Sequence, residues 1–436
     1  MLDVPAILGG EPLLKKSEIQ TWPRGVGEET VNKISNLLLS GNFAMGEQTK
    51  IFETLFAEYC GSNFSVLVSS GSEALSLALN SLDLEPDDEI IIPALGFISN
   101  LSTVLLAGAK PILADVEAKT GNICPNSVSK LINKKTRAVV VIAYGGLPYD
   151  PREIKFLVQD KKIALIEDAS HAHGAEFEGN KIGSFGDFGC FSFDQNKLIT
   201  SGQGGALITN SEENYLDLLK RRNFGLDRSA SIPQWMYFPL IASNCKPTDI
   251  MALMLNEQLN SIDEDINYRK YNYLGISEKI RCLPGLEVIK PNLSHFKESH
   301  YLMRFKYNSE EWNGLSRDLL IKSLLLEGVP VGPGWPPLSF RLHDYPQKKI
   351  NNKSLAEWKR VLPNAYSFSS SAIVLPNELL MSSKNVIDKV PIAFKRVYEA
   401  SDEIRKKFPN FSSSLLKGSK IKTFGAGLSW FSGNYK

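Results

Sequence analysis

The sequence predicts an α/β protein: a large domain with a mainly parallel sheet flanked by helices, then a smaller C-terminal α+β domain. Two observations carry this. From about residue 45 to residue 225, short apolar runs bounded by turn residues alternate with amphipathic segments, the pattern of parallel strands joined by right-handed helical crossovers. Beyond Thr248 the alternation gives way to a helix-rich stretch and then to a region interrupted by prolines.

Each element follows from a local signal. Val68 closes an apolar run that turns through Ser69, Ser70, Gly71 and Ser72 into a helix carrying Ala74, Leu75, Leu77, Ala78 and Leu79. Glu89 to Pro93 reads as a buried strand and Ile98 to Gly108 as the helix after it. Pro111 to Val116 is the next strand, with a helix near Ser127 to Asn133. Ala138 to Ala143 and Ala164 to Asp168 repeat the strand signal. Gly204 to Thr209 reads as a further strand leading into a helix at Glu212 to Arg222. Thr248 to Ile280, with Leu253, Leu255, Leu259 and Ile262 at partly helical spacing, serves as the connector. This places an N-terminal segment and the large domain at 1–264, the small domain at 265–400, and a helix end with a tail at 401–436. Gly328 to Pro346 holds five prolines and is expected to be irregular. From Phe408 the chain is rich in Ser, Lys and Gly and reads as a loosely attached tail.

Lys plus Arg number 49 against 48 acidic residues, a net charge of +1. That balance argues against nucleic acid or an anionic membrane as a partner, so any bound anion needs a local site. Cys60, Cys124, Cys190, Cys245 and Cys282 are scattered without a CxxC pair, which argues against a disulfide framework or a zinc site. The first residues lack a basic stretch before an apolar run, and nowhere do about 18 apolar residues run together. A cytoplasmic protein is expected. His171 and His173 flank a single residue, but His295, His300 and His343 lie far off in sequence, so no metal is expected.

The densest cluster of unusual residues runs from Ile166 to Gly205. Asp168 closes a predicted parallel strand, where open α/β sheets place their ligands. Lys197 follows after another apolar run, beside glycines that allow backbone to approach a ligand closely. A lysine and a carboxylate so placed suit pyridoxal phosphate. Burial lowers the lysine's pKa toward the nucleophilic amine that forms an imine with the aldehyde. The carboxylate keeps the pyridine nitrogen protonated, which makes the ring an electron sink. Ser70-Gly71-Ser72 at a helix start supplies aligned donors for the phosphate. Taken singly these signals have plainer meanings: an aspartate at a strand end is a helix cap, a serine before a helix an ordinary N-cap, a lysine in a loop a solvated one.

Together the segments resemble the DegT/DnrJ/EryC1/StrS family of pyridoxal-phosphate-dependent sugar and cyclitol aminotransferases, over roughly residues 10 to 400. The resemblance implies the type I aminotransferase fold and a homodimer with active sites at the subunit interface. Ser-Gly-Ser-Glu-Ala-Leu matches the phosphate turn, bringing Gly71, Ser72 and Glu73 to the cofactor. Ile-Ile-Pro-Ala-Leu-Gly-Phe matches the segment that sets an aromatic, Phe97, near the ring. Glu-Asp-Ala-Ser-His-Ala-His-Gly places Asp168 on the pyridine nitrogen and His171 against the ring face. Ser192 resembles the hydroxyl on the phosphate, and Lys197 falls on the lysine that carries the cofactor as a Schiff base. Ile-Ala-Ser-Asn244-Cys-Lys resembles the segment whose asparagine reaches the neighbouring subunit's phosphate. Lys246 stands where many members have arginine, and Pro363-Asn364-Ala365-Tyr366 where they read Pro-x-Ala-Glu. Both departures bear on the substrate rather than the reaction.

The Lys197 segment and Ser299-His300-Tyr301 are similar to the aminohydroxybenzoate synthases and the glutamine:scyllo-inosose aminotransferases. That subgroup implies a keto-sugar or keto-cyclitol acceptor, with glutamine or glutamate as amino donor. Trp335, amid Gly-Pro-Gly-Trp-Pro-Pro, and His300 are candidate substrate contacts; a rigid loop packing its indole on the core is the alternative for Trp335. A dehydratase or aromatising lyase on the same cofactor is the alternative activity, and a non-catalytic binding protein a third reading.

Overall fold

The computed structural model describes residues 4–227, 237–290, 295–340, 353–409 and 411. Its central sheet has seven strands: β1 (Phe64–Val68), β2 (Glu89–Pro93), β3 (Lys110–Ala114), β4 (Thr136–Ile142), β5 (Ala164–Asp168), β8 (Phe188–Ser192) and β9 (Gly205–Thr209), in the spatial order β1-β9-β8-β5-β4-β2-β3. Their apolar runs are buried, as a strand covered on both faces requires. Helices α3 (Gly71–Asn80), α4 (Ile98–Leu106), α5 (Pro125–Leu131), α6 (Pro151–Val158) and α7 (Glu212–Arg222) connect or flank the strands. The expected parallel strands pair in parallel from β3 across to β8, with Ile142 opposite Asp168 and Asp168 opposite Cys190.

The sheet is mainly parallel, as expected, with one strand running the other way. β9 runs antiparallel to both β8 and β1. The chain between Ser192 and Gly205 contains no helix, so it cannot make a crossover and instead folds straight back. The register then pairs Ser192 with Gly205 and Gly205 with Val68. The ends of β1, β5 and β8 and the start of β9 therefore share one edge of the sheet.

The expected connector is two helices, α8 (Asp249–Leu259) and α9 (Ile262–Ile280), broken at Asn260-Ser261. α9 leads into a second, antiparallel sheet, β10 (Leu286–Val288), β12 (Leu302–Tyr307), β14 (Ala372–Pro376) and β13 (Gly332–Pro333), in the order β10-β12-β14-β13. A three-stranded patch of β6 (Glu176–Phe177), β7 (Asn180–Lys181) and β11 (Phe296–Lys297) joins the two parts. The second sheet covers its own apolar core, with Tyr273, Ile276, Met303, Phe305, Trp312, Leu320, Leu375 and Phe394. Leu14 of the N-terminal segment is buried in that second core as well, and its neighbours Ile7, Leu8, Leu13 and Ile19 pack against the same core.

Residues 328–340 carry two short β residues and are otherwise irregular, apart from a turn of helix at their end; the remainder of the proline-rich stretch, with His343, lies outside the described residues. So does the tail beyond Phe411. Among the described residues no helix is long and apolar enough to cross a membrane, and the five cysteines are free thiols.

Candidate active site

A cavity of about 520 Å³ opens at the shared sheet edge, between the ends of β1, β5 and β8 and the loop holding Trp335. Gly71, Ser72, Phe97, Asp168, His171, Ser192, Lys197 and Trp335 all line it. Residues that lie more than a hundred positions apart in sequence thus meet in one space.

Ser70 caps α3, accepting a hydrogen bond from the Glu73 N–H at 3.1 Å. Gly71 and Ser72, in the first turn of the helix, line the cavity, and their N–H groups have no intrahelical acceptor. Close packing holds this turn against the sheet. A Cβ on Gly71 would lie 2.6 Å from the Ser192 Cβ, and one on Gly205 would lie 2.3 Å from the Ser70 carbonyl oxygen. Only glycine at these two positions lets the α3 turn, Ser192 and the start of β9 close into a cradle.

Asp168 is buried at the end of β5. Its carboxylate accepts from Asn100 Nδ2 at 2.6 Å and from the Ser170 N–H at 3.1 Å. Burial raises its pKa, partly opposed by those Ser170 contacts and by the charge of Lys197. No ion pair to Asp168 occurs among the described residues, so a buried carboxylate faces the cavity with only neutral donors, Asn100 and Ser170, in hydrogen-bond contact. A cationic N–H on a ligand satisfies it.

Lys197 lies in the loop between β8 and β9, its peptide N–H donating to the Asp194 carbonyl at 2.9 Å. Burial lowers its pKa to about 8, despite the opposing charges of Asp168 and Asp194. Its Nζ sits 5.1 Å from the centre of the Tyr301 ring. Tyr301 stacks on His171, with ring centres 4.2 Å apart. Burial holds the His171 pKa well below its ordinary value, and its Nδ1 accepts the Gly145 N–H at 3.3 Å. The ring is thus neutral, with the proton on Nε2.

Trp335 completes the wall. Its ring stacks on Tyr144 at 4.8 Å and lies 4.9 Å from His171 and 6.3 Å from Phe97, and its peptide N–H donates to the Tyr144 hydroxyl at 3.0 Å. Three expected site residues are not on the cavity in this chain. Glu73 turns away and accepts from Cys245 Sγ at 3.2 Å. Asn244 pairs with Asn223 in an isolated bridge, and its Oδ1 accepts from the Lys246 N–H at 3.4 Å. His300 packs against Tyr273 at 4.8 Å, buried on the other side of the chain from its neighbour Tyr301. Tyr366, at the departure from the family motif, meets Ser339 at 2.9 Å behind the Leu338 wall.

Sequence reasoning missed Asn100 and Tyr301. Asn100 follows Phe97 by three positions, one helical turn, which was the available signal. Tyr301 is adjacent to His300, and the left-handed backbone of His300 just ahead of β12 accompanies the placing of Tyr301, not His300, on the cavity.

These residues fit the pyridoxal phosphate that the sequence implies. The glycine-lined turn at the α3 N-terminus offers a phosphate seat, the unpaired carboxylate suits a protonated ring nitrogen, and the buried amine suits the aldehyde.

Comparison with known proteins agrees. The profile of the DegT/DnrJ/EryC1/StrS aminotransferase family matches residues 25–391. A putative L-glutamine:3-amino-2,3-dideoxy-scyllo-inosose aminotransferase of Micromonospora echinospora is 28% identical, over 74% of this chain and 78% of its own. The 3-amino-5-hydroxybenzoate synthase of Amycolatopsis mediterranei is 28% identical over 85% of this chain and 95% of its own. A crystal structure of a 3-amino-5-hydroxybenzoic acid synthase superimposes with a TM-score of 0.81 at 26% identity, covering 88% of this chain and all of that one.

Proposed function

The chain belongs to the DegT/DnrJ/EryC1/StrS aminotransferase family, and from that premise we propose that it moves an amino group from glutamine or glutamate to a keto-sugar or keto-cyclitol. The observation that carries this is the convergence of a half-buried lysine with a desolvated amine, a buried carboxylate with no ion-pair partner among the described residues, and a helix N-terminus on one cavity.

Pyridoxal phosphate, when bound, supplies an electron sink for negative charge developing at the substrate carbon. The chain's own residues do the rest. The α3 amides with Ser72 and Ser192 hold the phosphate; Asp168, oriented by Asn100, holds a proton at the ring nitrogen; Phe97 and His171 fix the ring plane. Lys197 Nζ takes and returns the proton at the substrate carbon, and a pKa of about 8 keeps it poised between its two forms near neutrality. Trp335 borders the space left for the acceptor. The reading includes a homodimer in which the partner subunit's Asn244 completes the phosphate seat, a division into a large domain at 1–264 and a small one at 265–400, and residence in the cytoplasm.

The purified protein, given cofactor, is expected to be coloured, and Lys197→Ala to lose the band. A colourless wild type overturns the reading. Incubation with glutamine and a six-membered cyclic ketone, against a nucleotide-linked keto-sugar, then assigns the acceptor. A second reading, a dehydratase or aromatising lyase on the same cofactor, draws on the similarity to the synthase along 95% of that protein. Product formed without consumption of an amino donor would select it.

A further inference from the structure

The loop between β8 and β9 that carries Lys197 has few ladder partners, so side chains from elsewhere hold its backbone. Asn377 Nδ2 donates to the Asn196 carbonyl at 3.0 Å. Gln258 holds Thr200 at both ends, donating to its carbonyl at 2.7 Å and accepting its N–H at 3.0 Å. The carbonyl of Lys197 itself is held by Trp22, whose indole Nε1–H donates to it at 3.0 Å from 175 residues away in sequence.

Trp22 is fixed in turn by an unusual partner. The Arg269 guanidinium of α9 lies over its ring, 4.8 Å from the centroid. Arg269 is fully buried, yet among the described residues none of its three side-chain nitrogens finds a hydrogen-bond partner. Asp265 and Glu378 act on it electrostatically without pairing with it. A buried guanidinium without a carboxylate is costly, and an apolar side chain would fill the space with less penalty. What the guanidinium does provide is a planar cation for the indole face. Two further contacts bind the same segment to the second core: the Gln20 N–H donates to Ser382 Oγ at 3.0 Å, and Arg24 pairs with Asp265.

We propose that Trp22 is a positioning residue for Lys197: its N–H fixes the peptide of the cofactor lysine, and Arg269 fixes the indole, so the N-terminal segment and α9 together aim the lysine amine. The inference rests on the assignment of Lys197 as the cofactor lysine. The long lysine side chain magnifies any tilt of its peptide at Nζ, and a misplacement of a reacting atom on the order of 1 Å is costly to rate.

The test uses the cofactor-loaded protein and Trp22→Phe, which keeps an aromatic ring but has no N–H. Borohydride reduction followed by peptide mapping first shows whether Lys197 carries the cofactor in wild type; a tag elsewhere refutes the underlying reading, not the role of Trp22. With Lys197 tagged, the variant is expected to shift the pH midpoint of the cofactor's visible band upward by about half a unit, as fixation and desolvation of the Lys197 nitrogen relax. It should also lower kcat about ten-fold while KM for the amino donor changes less than about two-fold. Trp22→His, which can return an N–H to the same carbonyl, should move the midpoint back toward wild type. A Trp22→Phe protein that is merely less heat-stable, with midpoint and kcat unchanged, overturns the proposal. Should that variant not fold, Arg269→Lys replaces it: loss of the planar cation is expected to shift the midpoint in the same direction, and an unchanged midpoint there overturns the proposal equally.

Discussion

Lys197 and Asp168 are set against each other by burial, which raises the carboxyl's pKa and lowers the amine's to about 8. The lysine's shift has a stability consequence with a definite sign. Its folded pKa lies below the unfolded value of about 10.4, so between the two the unfolded chain binds more protons, and stability rises with pH across that window. Below about pH 8 the folded protein must carry a buried ammonium. Lys197→Met in the cofactor-free protein is therefore expected to be more stable than wild type at pH 6 to 7, with the advantage shrinking as pH rises past about 8. Urea unfolding at a series of pH values measures it; an advantage independent of pH would mean the effect is packing alone. Asp168→Asn keeps the shape and removes the charge. It should leave the fold intact while lowering turnover by roughly 10²–10⁴, the range typical of a lost proton-holding group. Steady-state kinetics at saturating cofactor checks it. Asn100→Ala leaves the same carboxylate short of its 2.6 Å donor and should cost about 1–3 kcal/mol of stability, read by denaturant unfolding.

At the scale of elements, the site is a junction of strand ends and one helix start, and its tolerance is set by glycine. Gly71→Ala must push α3 from Ser192, since the new Cβ would stand 2.6 Å from the serine's. The expected cost is about 1–3 kcal/mol, together with a cofactor affinity reduced at least ten-fold as the phosphate turn is displaced; thermal unfolding and equilibrium dialysis measure the two. The strands themselves were legible because β2, β4 and β5 are buried on both faces and so read as unbroken apolar runs. The direction of β9 was not, because an apolar run carries no direction; it is set by the absence of a helix between Ser192 and Gly205. Lys197, Asp168, His171 and the Ser70-Gly71-Ser72 turn were legible as local motifs. Asn100, Tyr301 and Trp22 were not, since each reaches its place through tertiary packing. Tyr301 and His300 are chemically equal candidates until the left-handed backbone turn at His300, just ahead of β12, turns one against Tyr273 and leaves the other on the cavity.

The whole molecule has two cores, and the N-terminal segment crosses from one to the other's lysine loop. Its first residues are strapped to the second core by one buried ion pair, Arg396 with Glu327, at 2.9 Å and almost without solvent contact. Glu327 also accepts the N–H groups of Ala6 at 2.8 Å and Leu13 at 3.3 Å, while Arg396 donates to the Glu11 carbonyl at 2.9 Å. Removing one partner leaves the other charge buried. Arg396→Met is therefore expected to cost about 3–5 kcal/mol, more than the double substitution Arg396→Met with Glu327→Leu, which removes both charges. Denaturant unfolding of the two proteins tests this ordering. The strap lies upstream of Trp22, so loosening it should also free the indole from Arg269. Limited proteolysis ought then to cut Arg396→Met ahead of residue 22 faster than wild type, and the pH midpoint of its bound cofactor should move upward, as for Trp22→Phe. If proteolysis accelerates while the midpoint stays put, the strap serves stability alone and the aim of Lys197 is set locally by Arg269, Asn377 and Gln258.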